Sequence, residues 1–140
     1  MDSLLEIKHG LWEGKLEKEI KKDWPNLLKN WRDKPEGVKM PEGESIMDVS
    51  DRSFQAFDEI CSSQKNDDST LLVAHDAVNK ALICNILGIG FSNIWMIKQG
   101  NGGITVIDIF NDPEKDHVIS AMNITSHLGG IFDSTVSGAL

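Results

Sequence analysis

Apolar residues near the start of the chain recur with the period of a helix. Leu16, Ile20 and Trp24 stand four residues apart, and Leu27, Leu28 and Trp31 continue the face, which predicts helix over 15–32. Pro25 breaks it and fits as the first residue of a second helix. Pro35, Gly37, Pro41 and Gly43 give residues 33–44 the composition of a loop. Ser45 with Asp48 three positions on reads as a capping box. Ile46, Val49, Phe54, Phe57 and Ile60 then carry a helix to about residue 61. Residues 62–69 are polar and predict a surface loop.

The pattern changes at Leu71-Leu72-Val73-Ala74, a short continuous apolar run that predicts a buried, parallel strand ending at His75. Residues 77–87 are apolar almost all round, with Gly88 where a C-cap belongs, so a buried helix follows. A second short helix is expected over 91–98. Asn101-Gly102-Gly103 marks a turn, and alternation predicts strands near 104–110 and 117–122. No internal repeat is present. Helices around a few strands, in a chain of 140 residues, predict one α/β domain with one core.

Composition narrows the partners. Fourteen basic against twenty-two acidic side chains give a net charge of -8, which repels a nucleic-acid backbone. The one basic cluster, from Lys15 to Arg32, alternates with Glu17, Glu19 and Asp23 as a solvated helix face does. Cys61 and Cys84 sit apart in apolar helical contexts, as free thiols of a reducing cytoplasm do. No run reaches about 18 apolar residues, and Met1 is followed by Asp2 and Glu6, so neither a membrane span nor a secretion signal is expected.

Five strings, in order, carry the chemistry. They are Glu6-Ile7-Lys8-His9-Gly10-Leu11-Trp12-Glu13-Gly14, Pro41-Glu42-Gly43-Glu44-Ser45, Leu72-Val73-Ala74-His75, Gln99-Gly100-Asn101-Gly102, and Asn123 followed by His127-Leu128. In that order and spacing they resemble the histidine phosphatase superfamily of the phosphoglycerate-mutase type. The His75-Asp76-Ala77-Val78-Asn79 run is most similar to its plant and cyanobacterial branch related to carboxyarabinitol-phosphate phosphatase. The resemblance implies a three-layer α/β fold and phosphomonoester hydrolysis or phosphoryl transfer through a phosphohistidine. It also implies no metal or other cofactor, and no cluster here has metal-ligand spacing.

By that resemblance Glu6 matches the proton donor, a carboxyl held protonated near neutral pH, and His75 the second catalytic histidine. Without it, Glu6 reads as an N-terminal surface carboxylate and His75 as a structural histidine. Glu44 and Ser45 match the substrate side, although capping explains Ser45 equally well. Asp76 stands where glycine is usual. It is a natural helix cap, but at about 5 Å it would repel a phosphate by ~1–3 kcal/mol. The four tryptophans, and His117 and His127, read as packing and structural residues.

The family's nucleophile lies in an N-terminal Arg-His-Gly strand that this sequence does not contain; Lys8-His9-Gly10 imitates it without a preceding apolar strand. The resemblance therefore implies the C-terminal two-thirds of the domain, over residues 1–140, truncated before the nucleophile and complete at its C-terminus. The expected partner is a small phosphorylated metabolite, with neither nucleic acid nor membrane, and the isolated chain is expected to be inactive. An alternative is a split half that binds another chain. Deleting the nucleophile strand would expose the edge of 71–74 and favour self-association.

Overall fold

A computed structural model describes residues 1–65, 67–110, 112 and 114–129; the expected domain extends to 140, and its last eleven residues lie outside those described. Among the described residues four α-helices run in order: α1 (Glu17–Asp23), α2 (Pro25–Asp33), α3 (Ile46–Ser63) and α4 (Asp76–Leu87). They precede an antiparallel pair, β1 (Ile104–Asp108) and β2 (Val118–Ile124). The mixed α/β class read from the sequence is what the chain forms. The segment expected as a short helix near 91–98 is a 3₁₀ helix over Phe91–Met96.

Local chemistry sets these boundaries. Glu19 Oε2 accepts the Leu16 N–H at 2.7 Å and starts α1, and Pro25 opens α2 where its missing N–H costs nothing. Arg32 pairs with Glu17 at 2.8 Å on the exposed side, as expected of a solvated face. At α4 the C-terminus closes as a Schellman motif: Gly88 is left-handed (φ 62°), its N–H bonds Asn85 O, and the Ile89 N–H bonds Cys84 O. Helices α3 and α4 pack face to face through buried Val49, Phe57, Val78 and Leu82, and Asn85 Nδ2 bonds Ser50 Oγ across the seam at 2.9 Å.

The hairpin lays Ile107, Ile109 and Ile119 on this core and turns Ile104, Val106, Val118 and Met122 outward. Its entry turn is braced from the far strand and from the short 3₁₀ turn after it. Asn123 Oδ1 accepts the Gly100 N–H at 2.7 Å, and His127 Nε2 lies 3.0 Å from Gly102 O. A Cβ on Gly103 would lie 2.9 Å from the backbone carbonyl of Gly100 as well as 2.6 Å from Asn123 Oδ1, so the turn's glycine is required by close approach. His117 accepts the Phe110 N–H and meets the Phe57 ring edge-on. Both histidines are structural, as read from the sequence.

Residues 71–74 depart from expectation. They pair with no strand among the described residues, and Leu71 and Val73 are 81% and 80% exposed while Leu72 and Ala74 pack on the core. One face of the segment is partly buried and the other is open. A strand is buried on both faces only when neighbours flank it, and the described residues supply none.

The capping box of α3 generates a test. Ser45 Oγ accepts the Asp48 N–H at 3.1 Å and Asp48 Oδ2 accepts the Ser45 N–H at 2.8 Å. The Ser45 backbone N–H is the chief reason the Asp48 carboxyl falls from 3.8 to about 2, and Lys39 adds to it. A depressed carboxylate stabilises the fold above its unfolded value and loses that stability as pH falls through about 2. Because Asp48 is well exposed to solvent, the contribution is about 1 kcal/mol. Urea unfolding of Asp48→Asn should show that deficit at about pH 6 and a much smaller one at about pH 2; an equal deficit at both would contradict it.

Candidate active site

Two loops far apart in sequence interlock to place the N-terminal segment. The Glu44 N–H bonds Lys8 O at 2.8 Å and the Leu11 N–H bonds Pro41 O at 2.9 Å. No side chain fits between them. A Cβ on Gly10, which is left-handed at φ 58°, would lie 2.1 Å from Pro41 O, and one on Gly43 would lie 2.4 Å from Lys8 O. Buried Ile7 and Trp12 anchor the same segment in the core.

Arg52, one and a half turns into α3, fastens this arrangement. Its Nε and Nη2 donate to the two oxygens of Glu44 at 2.9 and 3.0 Å, a bidentate fork. Nη1 donates to Ser3 O at 2.7 Å and Nη2 also to Glu6 O at 3.3 Å. Glu44 Oε2 takes the Lys8 N–H as well. Burial alone would raise the Glu44 carboxyl, but the Arg52 and Lys8 hydrogen bonds outweigh it and hold it below the ordinary carboxylate value. Helical spacing alone offers Arg52 solvent or Asp48, four residues earlier. Asp48 is committed to the helix cap and Lys39, and the fork reaches Glu44 instead.

The clamp delivers Glu6 to the first turn of α4. Glu6 Oε1 accepts its neighbour Ile7's N–H at 2.9 Å and, across 71 positions of sequence, the Ala77 N–H at 3.3 Å. His75 is the N-cap residue of that helix and is exposed, in extended backbone. Glu6, His75 and Asp76 are thus brought to one helix end. Glu44 and Ser45 are engaged away from that end, Glu44 in the Arg52 fork and Ser45 in the α3 cap.

Beside this end is a crevice lined by Ile7, His9, Asp76, Lys80, Ile94 and Trp95. The sequence reading singled out neither Lys80 nor Trp95 as site residues. Lys80 is the one cation of α4, four residues after Asp76, and that spacing was the available signal. Among the described residues no three His, Cys, Asp or Glu side chains converge as metal ligands do.

Removing Arg52 should loosen the site and the fold together. Its side chain and that of Glu44 are each about one-fifth exposed, so Arg52→Met leaves a half-buried carboxylate unpaired and should cost about 2–3 kcal/mol in urea unfolding. Arg52→Lys should recover little, because an ammonium cannot span the fork and two carbonyls. A loss under about 0.5 kcal/mol for Arg52→Met would contradict the clamp.

Comparison with known proteins places the fold in context. The chain is 30% identical over 131 residues to phosphoserine phosphatase 1 of Hydrogenobacter thermophilus, covering 94% of this chain and 60% of that protein. It is 29% identical over 110 residues to the 2-carboxy-D-arabinitol-1-phosphatase of Triticum aestivum, covering 79% of this chain and 22% of that one. Bacillus stearothermophilus YhfR superposes with a TM-score of 0.83 at 23% identity, over 91% of this chain and 62% of that structure. The fold is thus the phosphoglycerate-mutase-like one, and the chain spans about 60% of the length of the first of these relatives. The histidine phosphatase superfamily (branch 1) matches residues 1–123, and the chain belongs to that superfamily.

Proposed function

We propose that this chain supplies the proton-donating half of a phosphomonoester-hydrolysing site, with Glu6 protonating the departing oxygen and His75 contacting the phosphoryl group. The hydrogen bond between Glu6 Oε1 and the Ala77 N–H carries the reading, because it holds a carboxyl against the helix end that His75 caps. A general acid must sit within hydrogen-bond reach of the leaving oxygen, and a helix N-terminus favours the anion beside it. Asp76, Glu44 and Ser45 belong to the substrate side, Glu44 and Ser45 through the loop they fasten.

The reading includes phosphoryl transfer through a phosphohistidine, without a metal. It also includes an arginine- and histidine-bearing segment beyond this sequence, making residues 1–140 the larger part of one domain. Arg32 is paired on the surface and Arg52 is committed to Glu44, so neither arginine of this chain is free for a phosphate. The substrate is a small phosphorylated metabolite such as an amino-acid or sugar phosphate, in keeping with the names of the relatives, and not a nucleic acid or membrane lipid. Buried free thiols at Cys61 and Cys84 suit a cytoplasmic setting, and no described helix is long and apolar enough to cross a membrane.

A second reading, a binding half that associates with another chain or with itself, draws on the exposed Leu71 and Val73 and the outward apolar face of the hairpin. Turnover separates the two. Hydrolysis of an aryl phosphate and of phosphoserine should be at background for this chain alone, and measurable when it is joined to an Arg-His-Gly-bearing segment of a relative. In that active form His75→Ala should lose about 100-fold or more, and Glu6→Gln should lose more on phosphoserine than on the aryl ester, whose leaving oxygen is already stable as an anion. Equal losses on both esters, or an active His75→Ala, would overturn the assignment. Light scattering that finds tight oligomers, with no turnover in the joined form, would favour the binding half.

A further inference from the structure

Asp76 poses an electrostatic problem, because it puts a carboxylate beside the residue read as contacting a phosphoryl group. The fold contains an answer one turn further along α4. Lys80 Nζ lies 2.8 Å from Asp76 Oδ2, and the lysine side chain is only 8% exposed. Its ammonium also lies 5.4 Å from the centroid of the Trp95 ring, on the 3₁₀ helix packed against α4. Trp95 is itself fixed: its Nε1–H donates to Trp31 O at 3.2 Å, and its ring meets the Trp31 ring edge-on at 5.4 Å. A buried cation is thus held between one carboxylate and one aromatic face.

We infer that Lys80 is a positioning residue of the candidate site, acting through Asp76: it neutralises that carboxylate and turns it along the helix, so that the end of α4 capped by His75 stays receptive to an anion. The inference rests on the proposed role of His75 and goes beyond it by giving a charge-balancing task to a residue that touches neither substrate nor leaving group. The charged groups facing this end are Glu6 and His9 from the N-terminal segment and Asp76 and Lys80 from α4, and no net negative charge comes from the last pair. An (i, i+4) pair on an exposed helix face does little, but this one is shielded by Trp95, where screening by water and salt is weak.

The test is a charge cycle on this chain, read at His75 through its ring C–H resonances as a function of pH. Lys80→Met keeps the length of the apolar stem and removes the cation. The midpoint of the His75 titration should move up by on the order of half a pH unit, because an unpaired carboxylate favours the imidazolium. Asp76→Asn should move it the opposite way, the double variant should return it close to the unmodified chain, and Lys80→Arg should leave it nearly in place. Amide spectra of the Asp76→Asn and double variants, which carry no unpaired buried carboxylate, keep the cycle readable if Lys80→Met alone is unstable. A His75 midpoint that is unmoved in folded Lys80→Met, or moved equally by Lys80→Arg, would overturn the inference. A cycle that closes as expected alongside a fully active His75→Ala would instead remove the catalytic role of His75 and leave the charge coupling standing.

Discussion

The arrangement of this molecule depends on one guanidinium. Arg52 projects from α3 and satisfies four acceptors at once: both oxygens of Glu44 and the carbonyls of Ser3 and Glu6. Each contact is ordinary. Together they tie the first six residues, the 41–45 loop and the longest helix into one unit, in a geometry only a planar five-donor group can serve. The backbone interlock of Gly10 and Gly43 depends on the same registration, since a shift of either loop would bring carbonyl oxygens into collision. Glu6 is presented to α4 by this assembly and not by a strand of its own.

Charge is handled in pairs around the site. Glu44 answers Arg52, Asp76 answers Lys80, and Asp48 answers Lys39 and the first turn of α3. In a chain with net charge -8, this keeps several carboxylates from adding to a repulsive field around the candidate site. Glu6 differs in kind. Its carboxyl meets backbone N–H groups only, those of Ile7 and Ala77, and so keeps no cationic partner among the described contacts. The paired carboxylates hold the scaffold, while Glu6 joins the N-terminal segment to the end of α4.

The helices were legible because their signals are local. Pro25, the Ser45 and Asp48 box, and Gly88 each act within a turn of their own position, and each marks the boundary it promised. The proximity of Glu6 and His75 was legible only through resemblance, for no spacing rule joins residues about 70 positions apart. The burial of 71–74 was misread for the converse reason. An apolar run states that a strand can be covered on both faces, and only long-range partners decide whether it is. Helical spacing offers Arg52 only a local partner, Asp48 four residues away, while its real partners lie 8, 46 and 49 positions off. Lys80 escaped notice because a cation in an apolar helix looks like a boundary residue until Trp95, from another element, covers it.

The central claim is that the Glu6 carboxylate rests on the first turn of α4, and the Ala77 amide reports this directly. Its proton resonance should lie downfield in the unmodified chain and move upfield in Glu6→Ala, while the amides of Val78 and Asn79 stay in place. An Ala77 resonance that is indifferent to the Glu6 substitution, in a chain whose other amides show the native fold, would mean that the carboxylate and the helix end are not joined, and the site would have to be rebuilt without Glu6.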